Sequence, residues 1–216
     1  MWGGWALELG IRLEAAARRP VAPDVFAAIG FDPSSGRVAA GGPLATSTMA
    51  GIEEVVAAVL RRWCPSVAAA RRATEAAWFV PDPAALAVPL TELAGLFEEL
   101  REGGRRIAVV TTDDRGPTDT TLRALGVRDS VAAMVCGDDG FAMKPAPDPV
   151  FALCQALQTQ PPRVAVVGDS PADIAMARAA GAGRVVGVLT GVGTAADLAE
   201  ADVVLGSIAE LRSTPA

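Results

Sequence analysis

The sequence contains no histidine and no tyrosine. That removes Ser-His-Asp and Cys-His catalysis and histidine-ligated zinc. Its three cysteines, Cys64, Cys136 and Cys154, are scattered. They form neither a metal-binding spacing nor a disulfide framework, and they suit a reducing cytosol as small core residues. No apolar run approaches the roughly 18 uninterrupted residues of a membrane span. No basic segment precedes an apolar stretch at the N-terminus, so no secretory signal is expected. The net charge is −6 and no basic block occurs, which argues against a nucleic-acid partner. The expectation is a cytoplasmic protein with neither a nucleic-acid nor a membrane partner. An anionic substrate stays open, because a local lysine and backbone N–H groups decide that. Any chemistry must rest on carboxylates, lysine, Ser/Thr hydroxyls, backbone groups and a bound ion.

What is present is a chain of 216 residues, 51% apolar, enough for one large or two small domains. The first part reads as all helical. Leu7, Leu9, Ile11 and Leu13 mark a helix over 5–19, and Asp24 is a candidate cap for a short helix to Ile29. Residues 31–43 form a turn-rich loop. Ser47 or Thr48 is placed to cap a helix over 49–63, and a further helix spans 66–79 before Val80-Pro-Asp-Pro83. From Thr91 strands and helices alternate: a helix on Leu93, Leu96, Phe97 and Leu100, then strand 107–111, helix 117–125, strand 131–136, helix 147–157, strand 164–168, helix 171–180, strand 185–189 and strand 203–205. Such alternation predicts a parallel sheet covered by helices. The boundary is placed near Val88, giving 1–88 and 89–216.

The alternating part is organised around Arg163 to Gly191. Val164 to Val167 suits a strand buried on both faces of a parallel sheet. Gly168 and Asp169 follow at its tip, then Ser170 as N-cap and Pro171 in the first helical turn. Asp173, four residues after Asp169, returns to the same place. Ligands bind at the carboxyl ends of such strands, and two carboxylates there suit Mg²⁺, which keeps water and phosphate oxygens as further ligands. A capping acid plus a solvated helix acid accounts for the same pattern.

Two more stretches point to one end of the sheet. Strand 107–110 runs into Thr111, Thr112 and Asp113; a hydroxyl and the next N–H at a strand end can hold phosphate oxygens, or simply cap the following helix. Lys144 stands before Pro145-Ala-Pro147, where extended backbone aims its ammonium. An ordinary surface lysine is the alternative.

The order of strand-end Thr111, Lys144-Pro, and Gly168-Asp169-Ser170-x-x-Asp173 resembles the haloacid dehalogenase-like hydrolases, in particular their phosphoglycolate-phosphatase-like branch. The resemblance covers roughly Thr91 to Leu211. It implies a three-layer, Rossmann-like α/β core with residues 1–88 as an α-helical cap that closes over the substrate. It also implies that Thr111, Thr112 and Lys144 bind the phosphoryl group, that Thr111 and Lys144 serve catalysis, and that Asp169 and Asp173 hold Mg²⁺. The implied activity is a Mg²⁺-dependent phosphatase of a small phosphorylated metabolite working through an aspartyl-phosphate.

One part of the family pattern does not match. Its first motif is a strand followed by Asp-x-Asp, where the first Asp is the nucleophile and the second the general acid/base. The nearest internal stretch is Ile29 to Ser34, in which Ser34 replaces the second Asp and no β-branched run precedes Asp32. Asp32 therefore reads as a turn residue in the cap. The first core strand, which in the family lies between the strands carrying Thr111 and Asp169, is expected to be absent. The sequence is expected to be incomplete at its N-terminus, with Met1 an internal methionine. Loss of one member of a covalent catalytic unit costs on the order of 10⁶ in rate in another covalent enzyme, so weak or no activity is expected of the chain as given. A chain without that strand is expected to be marginally stable or to borrow a strand. A catalytically silent protein that binds a phosphorylated ligand or a protein partner is the second reading. Dehalogenation or sugar-phosphate mutation is a third. The substrate and the oligomeric state are not legible, and Trp2, Trp5, Trp63 and Trp78 read as packing residues.

Overall fold

In a computed structural model of the chain, which describes residues 2–213, the apolar spacing of Trp5, Leu9 and Leu13 forms the buried face of α1 (Trp2–Ala17). This helix opens the first of two compact units, Met1–Asp82 and Pro83–Ala216. Gly10 lets α1 approach α2 (Ala22–Ile29), since a Cβ there would lie 2.6 Å from the Phe26 ring. Asp24 does not take the N-cap position, which falls to Val21 because α2 starts earlier, with proline in its first turn. Asp24 instead accepts the indole N–H of Trp63 at 2.9 Å. Gly30 ends α2 in the left-handed conformation, φ 76°, which glycine adopts without a Cβ penalty.

The expectation of an all-helical first part is overturned at residues 31–38. There β1 (Phe31–Asp32) pairs antiparallel with β2 (Arg37–Val38). Two-residue strands are too short to show a period of two. Phe31 is buried edge-on against Phe26. The Asp32 carboxylate accepts the Ser34 N–H and both the Ser34 and Ser35 hydroxyls. These bonds, Ser35 first, lower its pKa to about 2. Asp32 is thus a turn residue, as its sequence context suggests.

The unit continues with α3 (Pro43–Thr46), α4 (Met49–Leu60) and α5 (Val67–Ala77). Of the two cap candidates for α4 the structure uses Thr48, whose hydroxyl accepts the Gly51 N–H at 3.2 Å. Ser66 caps α5 in the same way. One continuous core, including Leu9, Leu13, Ile29, Ile52, Val56 and Leu60, holds these helices together. Trp5 is buried in contact with Trp2, Trp78 and Phe79, in keeping with the packing role read from the sequence.

The second unit begins with α6 (Pro83–Leu86), which packs on α8 (Arg115–Ala124). The division thus falls between Asp82 and Pro83, a few residues before Val88. After α7 (Leu93–Glu102) the expected alternation follows: β3 (Ile107–Val110), α8, β4 (Val131–Val135), α9 (Asp148–Ala156), β5 (Ala165–Gly168), α10 (Pro171–Ala180), β6 (Arg184–Val188) and β7 (Val203–Leu205). All strand pairs in this unit are parallel, so the α/β class read from the sequence holds.

The parallel strands form two sheets, β3-β4 and β5-β6-β7. The division separates the strand that leads to Thr111 from the strand that leads to Asp169. Its effect is visible in burial. The expectation that Val164 to Val167 is buried on both faces is corrected: Ala165 is exposed and Val167 is 38% exposed. A strand paired on one side only leaves its other edge and part of both faces to water. All four residues of β3 are likewise only half-buried. The apolar core of this unit is correspondingly split into three small clusters. One of them, built on Val150, Cys154, Met176 and Ala180 of α9 and α10, also receives Val110 from β3 and Val166 from β5. The two sheets therefore share one helical layer.

Edge strands exchange amide protons more readily than paired ones. Hydrogen exchange followed by mass spectrometry is expected to show faster exchange in β3 and β5 than in β6, which has a neighbour on each side. Equal protection of the three strands would contradict the two-sheet arrangement.

Candidate active site

The tips of β3 and β4 are tied together by backbone. The Thr111 N–H donates to Val135 O at 3.0 Å, and the Gly137 N–H donates to Asp113 O at 2.8 Å. The Thr111 hydroxyl accepts the Asp113 N–H at 3.1 Å, closing a tight turn at the strand end. Arg115 at the start of α8 steadies this turn. Its backbone N–H donates to Asp138, and its guanidinium to Asp139 and to Met134 O. The same guanidinium holds the Asp139 pKa below its ordinary value. Thr112 is half-buried beside this turn, and among the described residues its hydroxyl has no hydrogen bond.

Lys144 is the only lysine of the sequence. It reaches the chain's third motif directly: Nζ lies 2.8 Å from Asp173 Oδ1, with the two side chains only 15% and 10% exposed. An ion pair so shielded feels little screening by salt. Asp173 carries three further bonds. Its Oδ2 accepts the Ser170 N–H at 3.1 Å and the Ser170 hydroxyl at 2.7 Å, while its own N–H donates to Ser170 Oγ at 3.3 Å. This is a reciprocal capping box at the start of α10. Asp173 is thus the N3 acid of that box and also the counter-ion of Lys144. Gly168 makes room for it, since a Cβ at that position would lie 2.2 Å from the Asp173 Cβ.

Asp169 turns a different way. Its Oδ2 accepts the Val192 N–H at 2.9 Å, and its carbonyl accepts the Gly193 N–H at 2.8 Å. It faces the loop that follows β6, and among the described residues it has no hydrogen bond to Lys144 or Asp173. Among the described residues no three His, Cys, Asp or Glu side chains converge as a metal-holding group. Lys144 and Asp173 are thus joined directly, while Thr111 bonds to Asp113. Asp169 stands at the tip of the same β5 strand that leads to Ser170 and Asp173.

Sequence reasoning missed Asp113. Asp113 is exposed as a residue, yet partial loss of water around its carboxyl raises its pKa, while the Thr111 hydrogen bond and the Lys144 charge pull the other way. A second acid directly after the strand-end threonines was the available signal. Ser170 was read only as a cap, and the Gly191-x-Gly193 pattern was not read at all.

Comparison with known proteins gives this geometry a family. A profile described as haloacid dehalogenase-like hydrolase matches residues 15–181. The chain belongs to that family. A phosphoglycolate phosphatase of Rhodospirillum rubrum is 38% identical over 112 residues, covering 52% of this chain and 46% of the relative. A validoxylamine A 7′-phosphate phosphatase of Streptomyces hygroscopicus subsp. limoneus is 33% identical over 133 residues, covering 62% and 61%. The matches to such curated relatives take in between 36% and 61% of their lengths. Among solved structures, CbbY of Rhodobacter sphaeroides in complex with phosphate is 27% identical with a TM-score of 0.59, covering 92% of this chain and 89% of that one. A predicted phosphoglycolate phosphatase from Haemophilus somnus, 19% identical with a TM-score of 0.65 and coverage of 96% and 90%, shares the fold.

The family member's site yields two expectations. Gly168→Ala forces Asp173 out of its place, and overpacking of this kind costs about 1–3 kcal/mol; urea denaturation should read that loss, and an unchanged midpoint would contradict the close approach. Asp113 has a folded-state pKa above its unfolded one, so ionising it costs stability. That cost is absent below the ordinary carboxylate pKa, grows as pH rises, and is complete above the raised value. Asp113→Asn should therefore raise the thermal midpoint at pH 7 and not at pH 3.

Proposed function

We propose that this chain carries the phosphoryl-binding machinery of a Mg²⁺-dependent phosphatase that acts on a small phosphorylated metabolite. The observation behind the reading is the fixed ammonium of Lys144, held by buried Asp173 at the start of α10. An ammonium in a preset place stabilises charge that develops on a transferring phosphoryl group without reorganising at the moment of reaction. Lys144 would face one phosphoryl oxygen. The Thr111 hydroxyl, which accepts the Asp113 N–H and also bonds the Asp113 carboxyl, would turn its proton to a second oxygen when phosphate binds. The Thr112 N–H is a further donor at the same strand end. Such a site binds an anion and orients it; that is what these residues contribute to turnover.

The acids fit a hard cation that keeps most of its ligands as water and phosphate oxygens. The Asp169 Oδ1 has no hydrogen-bonded partner among the described residues, whereas both oxygens of Asp173 are engaged. Asp169 is accordingly the proposed direct ligand. Asp173 is the proposed second member of the pair, serving mainly through its hold on Lys144. When bound, Mg²⁺ would neutralise phosphate charge. The substrate class follows from the names of the relatives, which are phosphatases of small phosphorylated molecules. The helical unit is proposed as the cap that selects among such molecules.

Transfer through an aspartyl-phosphate needs a nucleophilic carboxylate facing Lys144. Asp32 does not suit that role, since it is committed to Ser34 and Ser35 in its hairpin. The chain as given is therefore proposed to bind phosphate with weak turnover or none. Calorimetry with inorganic phosphate in the presence of Mg²⁺ tests the binding, and a para-nitrophenyl phosphate assay tests the turnover. Lys144→Ala is expected to weaken phosphate binding by at least about tenfold, the scale of a lost charge-assisted hydrogen bond. Equal binding by wild type and Lys144→Ala would overturn the reading. Vigorous turnover that survives Asp169→Asn would refute the assignment of the acids.

A further inference from the structure

The loop after β6 reads Thr190-Gly191-Val192-Gly193, and it meets Asp169 more closely than side chains would permit. A Cβ on Gly191 would lie 1.8 Å from Asp169 Oδ2 and 2.2 Å from its Cγ. A Cβ on Gly193 would lie 2.5 Å from Asp169 O and 3.2 Å from two side-chain carbons of Leu198. These glycines are required for space, because any other residue would occupy the volume of the acid itself. The loop grips Asp169 twice, through the Val192 N–H on the carboxylate and the Gly193 N–H on the carbonyl. Beyond Gly193 the loop is anchored. Thr194 and Asp197 bond to one another reciprocally, and Leu198 is fully buried against Ile174, Ala177 and Val185.

We propose that residues 191–193 are the positioning element of Asp169: the Val192 N–H fixes one carboxylate oxygen, and the two glycines let the backbone close on the acid so that Oδ1 is left to a hard divalent cation. The assignment deepens the phosphatase reading and rests on it for the identity of the ligand. A partner that orients a metal-binding carboxylate is worth about 10- to 100-fold in metal affinity when removed. The arrangement also explains how Asp169 keeps an oxygen in reserve while its neighbour Asp173, four residues on, spends both of its own on Lys144 and Ser170.

The full chain is used for the test, with Gly191→Ala, Asp169→Ala and Gly116→Ala. Gly116 has open space around its would-be Cβ and controls for a glycine-to-alanine change in the same unit. Two readouts are taken: Mg²⁺ affinity by calorimetry without substrate, and exchange of the Val192 and Gly193 amides followed by NMR. Gly191→Ala is expected to weaken Mg²⁺ binding by about 10- to 100-fold and to accelerate exchange at Val192. Asp169→Ala should abolish the binding and release the same amide, and Gly116→Ala should change neither. Wild-type Mg²⁺ affinity and an unaltered Val192 amide in Gly191→Ala would overturn the positioning role while leaving the phosphatase reading intact. Loss of amide protection in Gly191→Ala, with no Mg²⁺ bound by any form including wild type, would uphold the grip on Asp169 and refute the cation assignment.

Discussion

The ion pair between Lys144 and Asp173 joins separate pieces of chain into one site. Asp173 belongs to the first turn of α10, Lys144 to the segment between β4 and α9, and the two side chains are largely withdrawn from water. Removing one partner of such a pair leaves the other charge uncompensated, which is far more costly than the pair is favourable. The pair is possible because Gly168 carries no Cβ and because Ser170 takes up the remaining oxygen of Asp173. The pair thereby fixes the Lys144 ammonium in one place.

The two acids of the third motif divide their work by geometry. Asp173 is committed to structure through the capping box and to electrostatics through Lys144. Asp169, at the strand tip, is held by the Val192 N–H on its carboxylate and the Gly193 N–H on its carbonyl. Charged side chains compete for an acid and neutralise it, whereas a single N–H fixes its direction and leaves its charge available. Two carboxylates four residues apart thus end in different environments, one paired with an ammonium and one facing a glycine-containing loop.

The two units of the chain are stabilised unequally. The helical unit has one continuous core, while the α/β unit has three small clusters around two separate sheets. A sheet strand with a partner on one side only cannot bury both faces, so β3 and β5 retain exposed apolar surface such as Val167. The shared layer of α9 and α10, with Val110 and Val166 packed against it, keeps the tips of both sheets in one unit.

Much of this was legible in the residues. Apolar positions located α1 and α7, caps and proline breaks located α4 and α5, and the β-branched runs located β3, β4, β5 and β6, because those patterns arise from local geometry and burial on one face. Ser170 and Pro171 announced the start of α10, since capping chemistry is confined to a few neighbouring residues. The order Thr111, Lys144, Asp169 and Asp173 named the family, because motif order survives without coordinates. The hairpin at Phe31 to Val38 escaped, being too short to carry a period, and so did the early start of α2. What only the tertiary structure decided is which groups meet. The approach of Lys144 to Asp173 across 29 positions, the closure of residues 191–193 on Asp169, and the division of the strands into two sheets depend on contacts between distant segments. Local sequence patterns fix elements; long-range packing alone fixes their neighbours.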